Sequence, residues 1–396
     1  MPIRYMGTKR RLAPVVEATI RGLDWEGALV DLFCGTAAVA QAIGTGRSLW
    51  LNDAQAFIAC IARARFCSQT AARRHDADRL LNESFQDHRS ALELRHSERL
   101  QEERSAVASR EQLLAWIRKA PHVGSSTSLR AAAARMRAGA DYELAAIYFA
   151  SSYFSTQQAI DLDSIRFAVD REASEEQRDV LLAAWLTTAS LIANSPGHTA
   201  QFMKPVGEAS YRRIITQWAR PVWTTFLEQI DKFAQVGDAP WRARNTATSE
   251  DSIALMSRLD GSSVGVVYAD PPYTSDQYSR YYHVLETLYL YDYPESTGEG
   301  RYRGGRHVSA FCLKTQVNDA FEALAESAAD RLVPLIISYP SNGLLQQAGY
   351  SLDDLLNARF RSVTIVQMAL SHSRMGSGGK DSTKEAVENV YLCRPS

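Results

Sequence analysis

The chain has 396 residues, of which 45% are hydrophobic and 22% charged, a composition that excludes a disordered polypeptide and leaves room for one large domain or two ordinary ones. A formal net charge of −1 excludes a generally basic, nucleic-acid-coating protein, so any phosphate-binding surface has to be a local patch. Five scattered cysteines (Cys34, Cys60, Cys67, Cys312 and Cys393) read as reduced thiols, and no His or Cys spacing suits zinc, so no metal is expected. Met1 to Gly7 is not an apolar leader and no later stretch is apolar enough to span a bilayer. The sequence thus predicts a soluble, cytoplasmic protein.

In chain order, Leu29 to Phe33 is a short apolar run ending at Cys34-Gly35-Thr36, followed by the Ala-rich stretch Ala37 to Ile43. That pattern predicts strand, tight turn, helix. Ser48 to Leu51 repeats it, closed by Asn52-Asp53 ahead of a helix over Ala54 to Phe66. Strand and helix alternating at this spacing predict an α/β fold with a parallel sheet and right-handed crossovers. From Ala71 to Gly237 Ala/Leu/Arg/Glu stretches at helical period dominate, with breaks at Pro121 to Ser128 and Asn194 to Gly197. Alternating charges over Asn82 to Arg118 read as a solvated helix face. Arg118 to Arg137 carries Arg118, Lys119, Arg130, Arg135 and Arg137 with no acid, and reads as a solvated loop or a phosphate contact. Tyr153-Phe154 reads as buried aromatics, and Asn194 to His198 as a loop. Strands resume at Val264 to Tyr268, Leu332 to Ser338, Arg361 to Ala369 and Ala386 to Leu392, so a large helical insertion splits the sheet.

Three constellations carry chemistry. Gly35, at the turn after the first strand, lets backbone approach a ligand closely because it has no Cβ, and ligands of open α/β sheets bind at that end of the strands. Asp53, one crossover later, either accepts hydrogen bonds from the two hydroxyls of a ribose or caps the helix that follows it. Asp270-Pro271-Pro272-Tyr273 follows a buried strand directly. Its prolines fix φ and so the direction of the carbonyls, its acid is an acceptor and its tyrosine a flat face. Together they suit an amine attached to an aromatic ring.

These motifs, in this order, resemble the Dam-type (D12 class) DNA adenine N6-methyltransferases. The resemblance covers about residues 1–70 and 240–396, and only loosely Tyr142 to Ala168. It implies a Rossmann-like methyltransferase sheet, mostly parallel with an antiparallel last strand. It also implies a catalytic domain over 1–70 plus 240–396 and a helical target-recognition insertion over 71–239. The implied cofactor is S-adenosyl-L-methionine, held by Tyr5, Met6, Gly7 and Lys9 of the first motif, by Asp31, Phe33 and Gly35, by Asp53, by Asp251 and by Asp270. Asp270, Pro271, Pro272 and Tyr273 are the implied catalytic tetrad, acting on an adenine flipped out of the duplex. Ala37 departs from the pattern, because the family commonly has a second glycine in that motif.

DNA is the expected partner. Arg301, Arg303 and Arg306, in a Gly/Arg stretch, read either as a phosphate clamp or as a solvated loop, and Arg374, Lys380 and Lys384 lie where the family has a DNA-contacting hairpin. Tyr281, Tyr282 and Tyr289 read as helix packing. An aspartate at the head of the tetrad favours adenine over cytosine N4 or a protein amide. RNA or another planar amine as substrate, and a catalytically silent DNA-binding subunit, stay open as alternatives, as does a separately encoded restriction or defence partner.

Overall fold

The structure, a computed structural model, describes residues 9–138, 142–373 and 383–395. The chain divides into two compact units. Of the described residues, one takes in 9–62, Val236–Tyr278 and those from His307 onward; the other takes in those of Arg63–Gln235 and Ser279–Arg306. The sequence expectation kept 279–306 with the sheet, whereas in the structure this segment packs with the helices.

The strands in chain order are β1 (Ala28–Asp31), β2 (Leu49–Asn52), β3 (Thr246–Thr248), β4 (Val264–Ala269), β5 (Ser296–Thr297), β6 (Tyr302–Arg303), β7 (Leu335–Pro340), β8 (Ser362–Ser373) and β9 (Thr383–Arg394). In the first unit seven of them form one sheet in the order β3-β2-β1-β4-β7-β9-β8. β3, β2, β1, β4 and β7 run parallel, and β9 pairs antiparallel with both β7 and β8. This is the mostly parallel, Rossmann-like α/β sheet that the sequence leads one to expect, with its last strand antiparallel. Every residue of β4 and of β7 is buried, which explains why both are written as near-continuous apolar runs. β7 begins at Leu335 rather than Leu332 because Pro334 has no N–H for the ladder and Leu332 turns through a positive φ of 55°. The helices Ser252–Arg258 and Val317–Asp330 pack against one another and bury Leu255, Met256, Phe321 and Leu324 in the same core as β4 and β7.

The second unit is helical. Its two central helices, Thr156–Glu172 and Glu175–Ile192, start with capping boxes in which Ser155 pairs with Gln158 and Ser174 with Gln177. Both are buried around most of their circumference, as helices inside a bundle are. The 22-residue helix Arg74–Arg95 lies along the first of them and buries Leu81, Phe85 and Leu92, with its charged residues outward as expected. Glu103, in the same charged stretch, is instead buried and accepts from Thr156 N and from the hydroxyls of Ser151 and Thr156. Much of the basic stretch read as a loop is a helix, Thr127–Ala138, because its alanine run has high helical propensity. Tyr153 and Phe154 are fully buried, and Asn194 ties its loop to the carbonyls of Ser152 and Met203.

Candidate active site

The site lies in the sheet unit, where the first turns after β1, β2, β3 and β4 meet the end of β7 and the middle of β9. Asn52, buried at the end of β2, stitches the first three together. Its amide nitrogen donates to Leu32 O at 3.1 Å and Glu250 O at 3.0 Å. Its oxygen accepts from Glu250 N at 3.1 Å and the Thr248 hydroxyl at 3.0 Å. The turn after β1 needs two left-handed residues, Gly35 at φ 47° and Ala37 at φ 55°, ψ 38°. Glycine takes this conformation freely, whereas a Cβ costs on the order of 1–2 kcal/mol there. Ala37→Gly should therefore stabilise the protein by about 1 kcal/mol, read as a raised urea midpoint with an unchanged slope; no gain would mean the helix start absorbs the strain.

Asp53 is 6% exposed. One carboxylate oxygen accepts from Gly35 N at 3.2 Å and the other from Gln55 N at 2.9 Å. It thus links the glycine turn to the start of the helix Ala56–Phe66, the second of the two roles weighed for it in the sequence. Asp251 is the N-cap of the helix Ser252–Arg258, with Oδ1 accepting from Ile253 N and Ala254 N, while Oδ2 faces His307 Nε2 at 3.9 Å. Phe33 packs edge-on against Phe311 at 5.5 Å. Asp31, 1% exposed, is held well above the carboxylate range first by burial and then by Asp270 and Asp53, against the opposing N–H of Phe33.

Asp270, immediately after β4, is the centre of the arrangement. Ser338 Oγ, on neighbouring β7, donates to Asp270 Oδ1 at 3.0 Å and accepts from the Tyr268 hydroxyl at 2.8 Å. Lys9 Nζ sits 3.1 Å from the same Oδ1. Among the described residues both contacts fall on Oδ1 and none on Oδ2. Burial pushes the Asp270 carboxyl up to about 6; Lys9 and the Ser338 hydroxyl hold it down, and Glu388 works with the burial. Pro271 is buried, and the Tyr273 carbonyl accepts from Leu344 N at 2.9 Å, which fixes the far end of the tetrad. The half-buried Tyr273 ring lies 5.6 Å from Lys9 Nζ and borders the core around β4 and β7.

Lys9 also pairs with Glu388 of β9, which is completely buried. Burial works against the Lys9 charge, yet Asp270 and Glu388 overcome it and hold the ammonium above its ordinary range. Lys9 thus ties the acid of the tetrad to Glu388. Sequence reading missed Ser338, Glu388 and the role of Asn52. A lone serine in an apolar strand and a lone glutamate in Val387-Glu388-Asn389-Val390 were the available signals.

The structure withdraws two of the expected DNA contacts. Arg301, in the helical unit, is 2% exposed, and its Nη1 donates to Tyr148 O and Ala150 O at 2.8 and 2.9 Å. Burial and the nearby Arg99 charge push it down to about 9. Arg303 is buried in a two-pronged pair with Asp292 at 3.1 and 2.7 Å. Both guanidinium groups hold the β5–β6 hairpin, so neither is presented to a phosphate. Arg306 is partly exposed over the Tyr302 ring, 5.0 Å away. Lys384 is opposite His372 on β9. Tyr5, Met6, Gly7, Arg374 and Lys380 lie outside the described residues. No group of three or more His, Cys, Asp or Glu among the described residues is placed to hold a metal, and no described helix is long and apolar enough to cross a membrane.

Residues 5–119 and 219–331 match the D12 class N6 adenine-specific DNA methyltransferase family. Among curated proteins, the type II methyltransferase M.FokI of Planomicrobium okeanokoites is 29% identical over 241 residues, 60% of this chain and 34% of that protein. The modification methylase LlaI of Lactococcus lactis subsp. lactis is 25% identical over 243 residues, 59% and 35% of the two chains. The type II methyltransferase M.CviAII of Paramecium bursaria Chlorella virus 1 is 25% identical over 203 residues, 49% and 53%. The alignments thus span between about a third and about half the length of these relatives. With the tetrad following β4 and the glycine turn following β1 of one parallel sheet, the family match stands on the site as well as on the chain: this protein belongs to the D12 class N6 adenine-specific DNA methyltransferase family.

Proposed function

We propose that the chain is a site-specific DNA methyltransferase that transfers a methyl group from S-adenosyl-L-methionine to N6 of an adenine flipped out of the duplex. The observation that carries this reading is the one-sided tethering of Asp270. Oδ1 is taken by Ser338 and Lys9, which leaves Oδ2 to accept from an amine. An exocyclic amine is a poor nucleophile because its lone pair is delocalised into the ring. Hydrogen bonds from it to Asp270 Oδ2 and to the Pro271 carbonyl localise that pair, and the Tyr273 ring offers a stacking face to the base. Much of the catalytic effect is then alignment of one reactant against another. Asp270 Oδ2 also holds the proton that N6 sheds once it is alkylated.

S-adenosyl-L-methionine, when bound, supplies a methyl group on a positively charged sulfur. The acids around the glycine turn fit such a cation: the charged form of Asp31 is opposed by burial and by Asp270 and Asp53, and a bound positive charge relieves that opposition. Asp31, Phe33, Gly35, Asp53, Asp251 and Asp270, with Lys9 beside Asp270, are the described residues assigned to hold it, joined by Tyr5, Met6 and Gly7. Arg306, Arg374, Lys380 and Lys384 are assigned to DNA phosphates, and residues 71–239 together with Ser279–Arg306 to target recognition.

The test is methyl transfer from labelled S-adenosylmethionine to unmethylated genomic DNA, with Asp270→Ala as control and nucleoside analysis of the product. N6-methyladenine from the wild type alone is the expected result. Absence of label in DNA despite measurable cofactor binding overturns the reading, in favour of RNA, a protein amide or a silent DNA-binding subunit.

A further inference from the structure

We propose that Glu388 is a positioning residue of this reaction centre: as a second carboxylate partner of the Lys9 ammonium it keeps Lys9 on Oδ1, leaving Oδ2 for the substrate amine. The proposal rests on the reading of Asp270 as the amine acceptor. Glu388 and Ser338 reach the site from the same sheet face, since Pro340 pairs with Glu388 and Ser338 with Val390 across β7 and β9. One strand therefore supplies the hydroxyl on Oδ1, and its neighbour supplies the carboxylate that restrains the ammonium on the same oxygen.

Buried ion pairs recover their desolvation cost poorly, and an apolar pair of similar volume is often as stable or more so. A glutamate with no exposure, on a strand otherwise apolar through Val390, Tyr391, Leu392 and Cys393, opposes the trend of its own strand. Its position is explained by what it does to Lys9. An ammonium with Asp270 as its one carboxylate partner is free to bridge both oxygens, which closes Oδ2. With Glu388 as a second partner, Lys9 is shared by two carboxylates. The groups facing Asp270 are then Lys9, Glu388 of β9, Ser338 of β7, Asp31 of β1, Tyr268 of β4 and Tyr273.

The experiment compares wild type, Glu388→Gln and Glu388→Asp in two readouts. In steady-state methylation, Glu388→Gln should lower kcat by about 10²-fold with KM for cofactor and for DNA unchanged. Glu388→Asp, which keeps the charge on a shorter arm, should recover part of that loss. In protein without cofactor, the Asp270 carboxyl, identified by its absence from Asp270→Asn, is titrated by 13C NMR. Because Glu388 opposes Asp270 ionisation, its midpoint should move to lower pH in Glu388→Gln and stay in place in Glu388→Asp. Wild-type kcat together with an unmoved Asp270 midpoint in Glu388→Gln overturns the proposal. If Glu388→Gln does not fold, Glu388→Asp decides alone: a lowered kcat with an unmoved midpoint is expected, and wild-type kcat overturns it. Failure of the underlying reading looks different, since the wild type itself would then methylate no DNA while its Asp270 titration still answers to Glu388.

Discussion

Asp270→Asn should lower kcat on the order of 10³-fold and, at the same time, raise the thermal midpoint by a few degrees. The two effects have one cause. The Asp270 carboxyl sits almost out of water, and burial lifts it from 3.8 to about 6 against the pull of Lys9 and Ser338. In the folded protein it therefore holds its proton more tightly than in the unfolded chain. Between about pH 4 and 6 folding takes up a proton, so the contribution of this group to stability falls as pH rises through that window. Above it the full penalty is present, and the distance from 3.8 to about 6 is worth roughly 3 kcal/mol. Asparagine keeps the acceptor for Ser338 but never ionises, so the penalty goes, offset in part by weaker attraction to Lys9. A gain of 1–2 kcal/mol at pH 7.5, vanishing near pH 4, is the expected outcome on the order of these magnitudes. The wild-type rate should fall on acidification with a midpoint of about 6, as Oδ2 becomes protonated and ceases to accept from the amine. Unfolding midpoints and kcat measured across pH 4–8 check both. An Asp270→Asn enzyme that is less stable than wild type at every pH would mean that the acid is a structural member of the sheet rather than a group maintained for chemistry.

What the sequence made legible, and what it hid, follows from where each interaction is written. β1, β4 and β7 are buried on both faces, so they appear as apolar runs, and the motifs at their ends, Gly35 and Asp270 to Tyr273, stand out by contrast. β3, three residues long with partial exposure, writes no such run and was not anticipated. Glu388 and Ser338 were hidden because their partners, Lys9 and Asp270, are brought to them only by the pairing of β9 with β7 and of β7 with β4. No local pattern announces a carboxylate that is inward-facing in a strand. Arginine was the least legible residue. Arg301 and Arg303 lie in a stretch rich in glycine and charge, and nothing there distinguishes a guanidinium bound for solvent from one spent on buried carbonyls or on the carboxylate of Asp292. Alanine misled in the other direction: the Ala-rich piece between Arg130 and Arg137 was discounted because of its charges, yet its backbone propensity made it a helix.

Asp163→Ala should destabilise the helical unit by about 3–5 kcal/mol, the largest stability effect expected from a single side chain here. Asp163 lies in the middle of the helix Thr156–Glu172 and has no solvent exposure. Its oxygens accept from Ala145 N at 2.8 Å and Ala146 N at 2.9 Å, two N–H groups in the first turn of the helix Leu144–Tyr148. That helix has no side-chain cap of its own from Glu143, so its first-turn donors depend on a residue from another helix. The Tyr291 hydroxyl donates to the same carboxylate, from a residue held at a positive φ of 52° just after the helix His283–Leu290. One side chain therefore fixes three segments. Alanine removes the acceptors and leaves two buried N–H groups without a partner and the Tyr291 hydroxyl with nothing to donate to, though Leu144 N still donates to it; each lost acceptor is worth roughly 1–3 kcal/mol. Asparagine retains one oxygen but turns an NH2 toward the remaining donors, so Asp163→Asn should fall between wild type and Asp163→Ala. Urea unfolding of the three proteins checks the ranking. Because Tyr291 belongs to Ser279–Arg306, the segment that joins this unit from beyond the tetrad, Tyr291→Phe provides the cross-check. It removes the donor to Asp163 and the acceptor that Leu144 N uses at 3.3 Å, and should cost about 1–2 kcal/mol; a double variant only slightly less stable than Asp163→Ala alone would show that the hydroxyl acts mainly through this carboxylate.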